Sequence, residues 1–193
     1  GPTLLLSTAR FTTTPSGVAL QPGRVLMLRE VDGDWREMTL DDPASNVIHH
    51  ARPWRGGLLT LGGEAARVVH WTRSGMDWQP DVLWAASFGG QTDRMRDLAV
   101  GDVDGDGEAE LVVATHDQGV VAVGDEGPAG WTFTAIDRTP GTFVHEVVLA
   151  DVDGDGKAEI LATPSAPNQS TGASQPGAVV RYDHVAADTD TDT

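Results

Sequence analysis

Two nine-residue segments with the same pattern of acidic residues dominate this sequence. They read DVDGDGEAE at 102–110 and DVDGDGKAE at 151–159. Each segment places a carboxylate at its first, third, fifth and ninth positions. Four carboxylates this close repel one another strongly unless a cation lies among them. Because oxygen-rich ligand sets suit hard cations, the two segments predict two calcium loops.

The first six positions of each segment also occur in the calcium loop of an EF-hand, but the remainder differs. An EF-hand needs Glu at position 12 and a helix on each side of the loop. Position 12 is Val113 in one segment and Ala162 in the other. Short apolar runs, typical of buried strands, flank both segments, at 98–100 and 111–115 and at 147–149 and 160–163. Each loop is therefore predicted to join two strands.

The two loops are 49 residues apart, and a period of this length is typical of repeat folds such as propellers. Further strands predicted at 120–123 and 131–136, on either side of a turn-rich stretch at 124–128, complete a four-stranded antiparallel unit around the first loop. A related unit lies upstream at 46–84. There, Trp54-Arg55-Gly56-Gly57 replaces the acidic loop, so no calcium is expected at that position.

The two ends of the chain also resemble each other. Residues 175–182 resemble 21–28, and each stretch follows a polar Pro-Ser segment that is predicted to be a loop, at 10–22 and at 164–176. This match predicts three, four, four and three strands in successive units. The fold prediction is an all-β, partial β-propeller of about four blades of four-stranded antiparallel sheets, with the first and last blades incomplete. The predicted propeller segment is 1–184, its blades are 3–42, 46–86, 94–138 and 143–184, and 185–193 form an acidic low-complexity tail. A second chain or a second copy is expected to complete the ring.

The residues around the loops, 98–113 and 147–161, resemble the FG-GAP/VCBS repeat family, the calcium-bearing propeller blades of integrin α-subunits and many bacterial extracellular proteins. The resemblance implies two Ca²⁺ sites, a secreted or extracellular location and ligand binding on the face opposite the calcium loops. The metal ligands that it implies are Asp102, Asp104, Asp106, Glu108 through its carbonyl and Glu110, and then Asp151, Asp153, Asp155, Lys157 through its carbonyl and Glu159. Because the same blades occur in adhesins, lectin-like modules and some lyases or dehydratases, the resemblance implies a fold rather than an activity.

A second group of candidates lies at the predicted entrances of the innermost strands: His49, His50, Arg96 and His145. If these strands converge on a central channel, residues at their entrances face one another across its mouth. Imidazole and guanidinium groups there could bind a carboxylated sugar, hold a transition metal or act as general acid and base. Polar residues that line a water-filled mouth without any further role are the alternative.

Composition excludes several classes of partner. The 193-residue chain contains no cysteine. Its formal charge of −16 argues against nucleic acid or an anionic membrane surface as partner. No apolar run approaches the roughly 20 residues of a membrane span. The predicted function is a calcium-stabilised extracellular propeller segment that serves as a binding or interaction scaffold for glycan or protein. The alternative is a lyase or dehydratase that acts on acidic or keto sugars at the channel mouth.

Overall fold

A computed structural model describes residues 3–63, 65–75, 77–89, 93–116, 118–167, 173 and 175–183, so the predicted tail at 185–193 lies outside the described residues. The described residues form strands joined by turns and loops. The strands are β1 Thr3–Thr8, β2 Phe11–Thr14, β3 Gly17–Leu20, β4 Gly23–Val31, β5 Asp34–Asp42, β6 Val47–Trp54, β7 Gly57–Gly63, β8 Ala66–Ser74, β9 Asp77–Ala86, β10 Met95–Gly101, β11 Glu110–Thr115, β12 Val120–Gly127, β13 Gly130–Arg138, β14 Phe143–Ala150, β15 Glu159–Ser165 and β16 Val180–Tyr182.

Besides the two-stranded hairpin of β2 and β3, the described residues form four antiparallel sheets of three or four strands, which follow one another along the chain. The first sheet has the order β1-β4-β5, the second β6-β7-β8-β9, the third β10-β11-β12-β13 and the fourth β14-β15-β16. The prediction of an all-β, partial propeller with three, four, four and three strands is confirmed. Among the described residues no sheet closes on itself, and none forms a helix long and apolar enough to cross a membrane.

The apolar run of β11 shows why the sheets stack face to face. All six of its residues are buried. Successive side chains of a strand point to opposite faces of the sheet. Leu111 and Val113 pack against the second sheet, whereas Val112 and Ala114 pack against the fourth. A strand covered on both faces needs apolar residues at every position, and this accounts for the continuous run in the sequence.

Each pair of adjacent sheets encloses its own core. Val25 and Met27 of the first sheet pack with Ile48 and Trp71 of the second. The second and third sheets enclose the largest core, which includes Leu59, Leu61, Val68, Met95, Leu98, Leu111 and Val120. The third and fourth enclose Ala99, Val112, Val121, Val144, Val147 and Ile160. The fold is therefore held together by three cores between sheets.

The outer faces of the first and fourth sheets have no covering sheet among the described residues. Leu4 and Leu6 of β1 are 48% and 41% exposed, and Val148 of β14 is 52% exposed. Their neighbours Leu5 and Val147, on the opposite faces of the same strands, pack into the cores. These two outer faces therefore carry apolar side chains in contact with solvent.

Two connections differ from the sequence prediction. The polar stretch 10–22, predicted as a loop, contains the antiparallel hairpin of β2 and β3. Its threonine-rich strands have β propensity that the surrounding Pro and Ser obscured. In the third sheet, β12 continues to Gly127, so the turn predicted at 124–128 is much shorter. In the second sheet, Arg55 and Gly56 join β6 to β7 and have φ angles of 44° and 74°, as a two-residue hairpin turn requires.

Candidate metal centres and the opposite edge

The first acidic loop joins β10 to β11 and wraps around the carboxylate of Asp102. Asp102 accepts hydrogen bonds from the backbone N–H groups of Gly105 (2.6 Å) and Gly107 (3.0 Å). These glycines have φ angles of 83° and 93°, in the region that residues with a side chain rarely adopt. The Asp-Gly alternation of the sequence thus supplies both the turn conformations and the acceptor that holds them.

The other acids of this loop also fold it locally. Asp104 accepts from the N–H of Asp106 (3.0 Å), and Asp106 accepts from that of Glu108 (2.7 Å). Glu110, only 2% exposed, accepts from the N–H of Val103 (2.8 Å) at the opposite end of the loop. Asp104 and Asp106 each have a second carboxylate oxygen that accepts no hydrogen bond from the described residues. The loop therefore directs carboxylates inward, and the second oxygens of Asp104 and Asp106 could still bind a cation.

The second loop, between β14 and β15, repeats this network bond for bond. Its bonds run from Gly154 (2.7 Å) and Gly156 (3.0 Å) to Asp151, from Asp155 to Asp153 (3.3 Å), from Lys157 to Asp155 (2.9 Å) and from Val152 to Glu159 (2.7 Å). Two segments 49 residues apart thus adopt one conformation. The repeat inferred from the sequence extends to the hydrogen bonds.

Within each loop, carboxylate oxygens come close enough to share one cation. Asp102, Asp104 and Asp106 each offer an oxygen within 4.8 Å of the others, and in the second loop Asp151, Asp153, Asp155 and Glu159 do the same. Glu110 is not part of the first such group. Among the described residues, these are the two places where three or more His, Asp or Glu side chains converge in this way.

The electrostatics of the first loop indicate an uncompensated negative charge. Burial raises the pKa of Glu110, its hydrogen bond from Val103 opposes this, and the charges of Asp104, Asp106 and Asp102 raise the pKa further. Crowded carboxylates of this kind are stabilised by a hard cation. The donor set therefore fits calcium.

The second loop has an additional charged neighbour, Arg181 of β16. Its guanidinium donates a hydrogen bond to Asp153 and lies 3.6 Å from Glu159 Oε1. The bond from Arg181 lowers the pKa of Asp153. The equivalent register position in the third sheet is Val123, which has no charge. The two loops thus share a backbone but differ in their surroundings.

Residues 102–162 match the sequence model of a family described as an FG-GAP-like repeat. This part of the chain is similar to an FG-GAP-like repeat. The matched range includes the whole of both acidic loops and the third sheet from β11 to β13. No curated protein and no solved structure matches the chain significantly. An FG-GAP-like repeat in an all-β chain points to a propeller-like interaction scaffold.

The innermost strands of the second, third and fourth sheets each have a β-bulge at the end opposite the acidic loops. In β6 the register shifts between Ile48 and His50, in β10 between Met95 and Asp97, and in β14 between Val144 and Val147. The residues in these bulges are His49, Arg96, and His145 with Glu146. Bulges redirect side chains, and they are common near functional sites. Three of the four predicted mouth residues therefore occupy one repeated, irregular position.

His50, the fourth predicted mouth residue, is engaged elsewhere. Its Nδ1 lies 2.8 Å from Asp97 Oδ1, and Asp97 Oδ2 accepts the backbone N–H of Val147 at 3.0 Å. Burial raises the pKa of Asp97, but the hydrogen bonds from His50 and Val147 outweigh it and the pKa is lowered. Asp97 thereby links the inner strands of three successive sheets. We assign His50 to this structural link.

The structure adds two residues that the sequence interpretation did not select, Arg94 and His116. The N–H of His116 donates to the carbonyl of Arg94 (2.9 Å), and the ring of His116 lies 5.8 Å from that of His145 between centroids. His116 follows β11 and Arg94 precedes β10, so neither occupies the repeated position that identified the others. Their proximity arises from strand pairing between β10 and β11.

Proposed function

We propose that this chain is a calcium-stabilised, propeller-like binding scaffold of an extracellular protein. The observation that carries the proposal is the duplicated loop, in which matching backbone hydrogen bonds hold carboxylates around one centre. The residues that would hold Ca²⁺ are Asp102, Asp104, Asp106, Glu110 and the backbone carbonyl of Glu108 in the first loop, and Asp151, Asp153, Asp155, Glu159 and the backbone carbonyl of Lys157 in the second. Bound calcium would neutralise the carboxylates and stiffen both connections.

The position of the loops supports a structural role for the metal. Both lie at the same ends of adjacent sheets, and a Cβ added to Gly105 would stand 3.8 Å from Cε of Lys157 in the other loop. Each loop connects an inner strand to a fully or largely buried second strand. Metal bound there would couple the loops to the core between the third and fourth sheets. Calcium at extracellular, millimolar concentration would keep such sites filled.

We further propose that a second copy of the chain covers the exposed outer faces. The apolar side chains Leu4 and Leu6 lie on the first sheet and Val148 lies on the fourth. Two copies related by a twofold axis would place the first sheet of each against the fourth sheet of the other. One symmetric arrangement would therefore cover all four faces and close a ring.

The proposed dimer makes a direct prediction for the mass in solution. In 1 mM Ca²⁺ we expect about 41 kDa, twice the 20.4 kDa of the chain, by sedimentation or light scattering. Replacing Leu4 by Asp should shift the protein towards monomer, because a buried unpaired charge opposes association. Asp at the exposed Thr12 of the β2–β3 hairpin serves as the control. A folded wild-type monomer at tens of micromolar would contradict the dimer.

The contrast between Arg181 and Val123 predicts that the two calcium sites have different affinities. A cation must compete with the guanidinium for Asp153, so the second site should bind Ca²⁺ more weakly. Arg181→Val is expected to raise the affinity of this site by roughly threefold to tenfold, since exposed charges are partly screened. The titration should use an Asp106→Asn background, in which the first site is weakened. Arg29→Val is the control, and equal affinity with and without Arg181 would contradict the prediction.

A further inference from the structure

The bulged ends of β6, β10 and β14 bring positive and imidazole groups together at the edge opposite the acidic loops. The charges of Arg96 and Arg94 act on His49, and the charge of Arg96 also acts on His145. Arg96 is thus near enough to both histidines for its charge to lower the pKa of each ring. The rings of His116 and His145 are in edge contact. We call these five residues the mouth cluster: His49, Arg94, Arg96, His116 and His145.

The glycine at the end of β7 makes room for this convergence. A Cβ added to Gly63 would stand 3.4 Å from Cγ of Arg94 and 3.6 Å from Cε1 of His49. It would also collide with Val47 at 2.3 Å. The distances to Arg94 and His49 are those of ordinary van der Waals contact, so both side chains lie close against the backbone of Gly63. Gly63 allows the arginine and the histidine to approach the same space.

The two arginines of the mouth cluster lack anionic partners. Within the described ranges, neither Arg94 nor Arg96 forms an ion pair, and Nε of Arg94 is buried without a hydrogen-bond partner. Other arginines of the chain do have such partners, such as Arg24 with Asp41 and Arg67 with Asp42. The chain has a formal charge of −16, yet none of the acids in its described part pairs with these two arginines. Unpaired guanidinium groups at a half-buried position are suited to an external anion.

The protonation state of His49 adds a hydrogen-bond acceptor to the mouth cluster. Its Nδ1 lies 2.7 Å from the carbonyl oxygen of Met95, which can only accept, so Nδ1 carries the hydrogen. Burial lowers the pKa of His49, and the charges of Arg96 and Arg94 lower it further against the effect of the Met95 carbonyl. The ring is therefore neutral near pH 7, and its Nε2 is an acceptor. An acceptor beside two guanidinium groups can receive a hydroxyl hydrogen.

We propose that the mouth cluster binds a sugar acid, with the carboxylate on Arg96 and Arg94 and a hydroxyl group on His49. Two arginines provide a planar, bidentate match for one carboxylate. Phe143, stacked on His116 with centroids 3.8 Å apart, adds an aromatic face beside the cluster. The strong negative charge of the whole chain disfavours polyanions such as nucleic acids. A single carboxylate on a polyhydroxylated ring satisfies these groups together.

This proposal rests on the scaffold role and names its ligand, but it does not depend on calcium. The acidic loops follow the last residue of β10 and β14, whereas the mouth cluster lies at their beginning. Seven residues of strand separate the two sites by about 20 Å. Melting temperature in EDTA reports on the loops, and ligand titration reports on the mouth cluster. The two proposals can therefore fail separately.

The test is a calorimetric titration with glucuronate in 1 mM Ca²⁺, beside glucose, acetate and inorganic phosphate. We expect glucuronate to bind more tightly than each of the others, because only it combines one carboxylate with ring hydroxyls. Arg96→Gln should weaken glucuronate binding by roughly tenfold to a hundredfold, the usual effect of losing a charge-assisted hydrogen bond. Arg52→Gln, an arginine substitution on β6 outside the cluster, should leave the affinity unchanged.

Two further measurements distinguish the loss of a ligand contact from misfolding of the Arg96→Gln variant. Arg96→Lys keeps the positive charge but not the bidentate guanidinium group. We therefore expect a partial loss of glucuronate affinity and an unchanged melting temperature. In the wild-type protein, glucuronate should shift the imidazole NMR signals of His49, His116 and His145 and leave those of His50 and His70 in place. Equal binding of acetate or phosphate would overturn the sugar acid as ligand. Absence of glucuronate binding, or unchanged binding in Arg96→Gln, would overturn the site.

Discussion

Adding 1 mM Ca²⁺ to the EDTA-treated protein is expected to raise its melting temperature by roughly 10–20 °C. A site at one hundred times its dissociation constant stabilises the folded state by about 2.7 kcal/mol, so two sites contribute about 5 kcal/mol. For a chain of this length, each kcal/mol corresponds to roughly 2–4 °C. Calorimetry or circular dichroism at fixed protein concentration measures the shift, with Mg²⁺ as a comparison cation.

The hydrogen bonds within the loops identify the best substitutions for this test. Asp106 and Asp155 each use Oδ1 as acceptor for a backbone N–H, and no hydrogen bond is assigned to Oδ2. Asn at both positions therefore keeps the turn and removes one negative charge per loop. In 1 mM Ca²⁺, the double variant should lose most of the calcium-dependent rise in melting temperature. In EDTA, it should melt at or above the wild-type temperature, because repulsion among the carboxylates is reduced.

Asp125→Asn is the matched control for the double variant. Asp125 lies in the β12–β13 hairpin, where it pairs with Thr132, and it belongs to neither group of converging carboxylates. Its substitution should leave the calcium-dependent shift intact. A wild-type melting temperature that is the same in calcium and in EDTA would remove calcium from the proposed function. Loss of the shift in Asp125→Asn would point to general surface charge instead.

Leu111→Ala is expected to lower the free energy of unfolding by about 3 kcal/mol, the usual cost of a leucine-sized cavity in a core. Leu111 is 0% exposed and lies in the core between the second and third sheets. The melting temperature should fall by roughly 6–12 °C. Urea denaturation in saturating calcium measures the change with both metal sites filled.

Leu4→Ala is the control for this cavity, because it deletes the same atoms at a 48% exposed position on β1. At low protein concentration, where association is weak, it should cost less than about 1 kcal/mol. Equal destabilisation by the two substitutions would contradict the assignment of the main core. A cost for Leu4→Ala that grows with protein concentration would instead support coverage of this face by a second copy.

Much of the architecture could be predicted from local sequence because its signals are local. The Asp-Gly spacing at 102–110 dictates a tight loop whatever surrounds it, and the apolar run at 111–115 indicates a strand buried on both faces. Turn residues mark the hairpins. The hairpin within 10–22 was missed, since Thr, Pro and Ser indicate loops at least as often as strands and only the observed pairing distinguishes them.

The candidate sites were predictable only as far as local sequence patterns mark them, because contacts between sheets leave no local pattern. Their repeat position identified His49, Arg96 and His145, but the distances among them depend on how three sheets pack. Pairing of β10 with β11 brings Arg94 and His116 to the same site, although neither occupies the repeated position of the other three residues. His50 neighbours His49 in sequence, yet its ring bonds to Asp97 of another sheet.

The sequence alone determined two acidic loops, their flanking strands and an all-β repeat, because hydrogen bonds and alternation within a few residues specify these features. Only the tertiary structure decided what surrounds each loop and what meets at the opposite edge. Arg181 reaches the second loop through pairing of β16 with β15, and Val123 occupies the equivalent place in the third sheet. Contacts between residues distant in sequence follow from sheet packing, which no local pattern encodes.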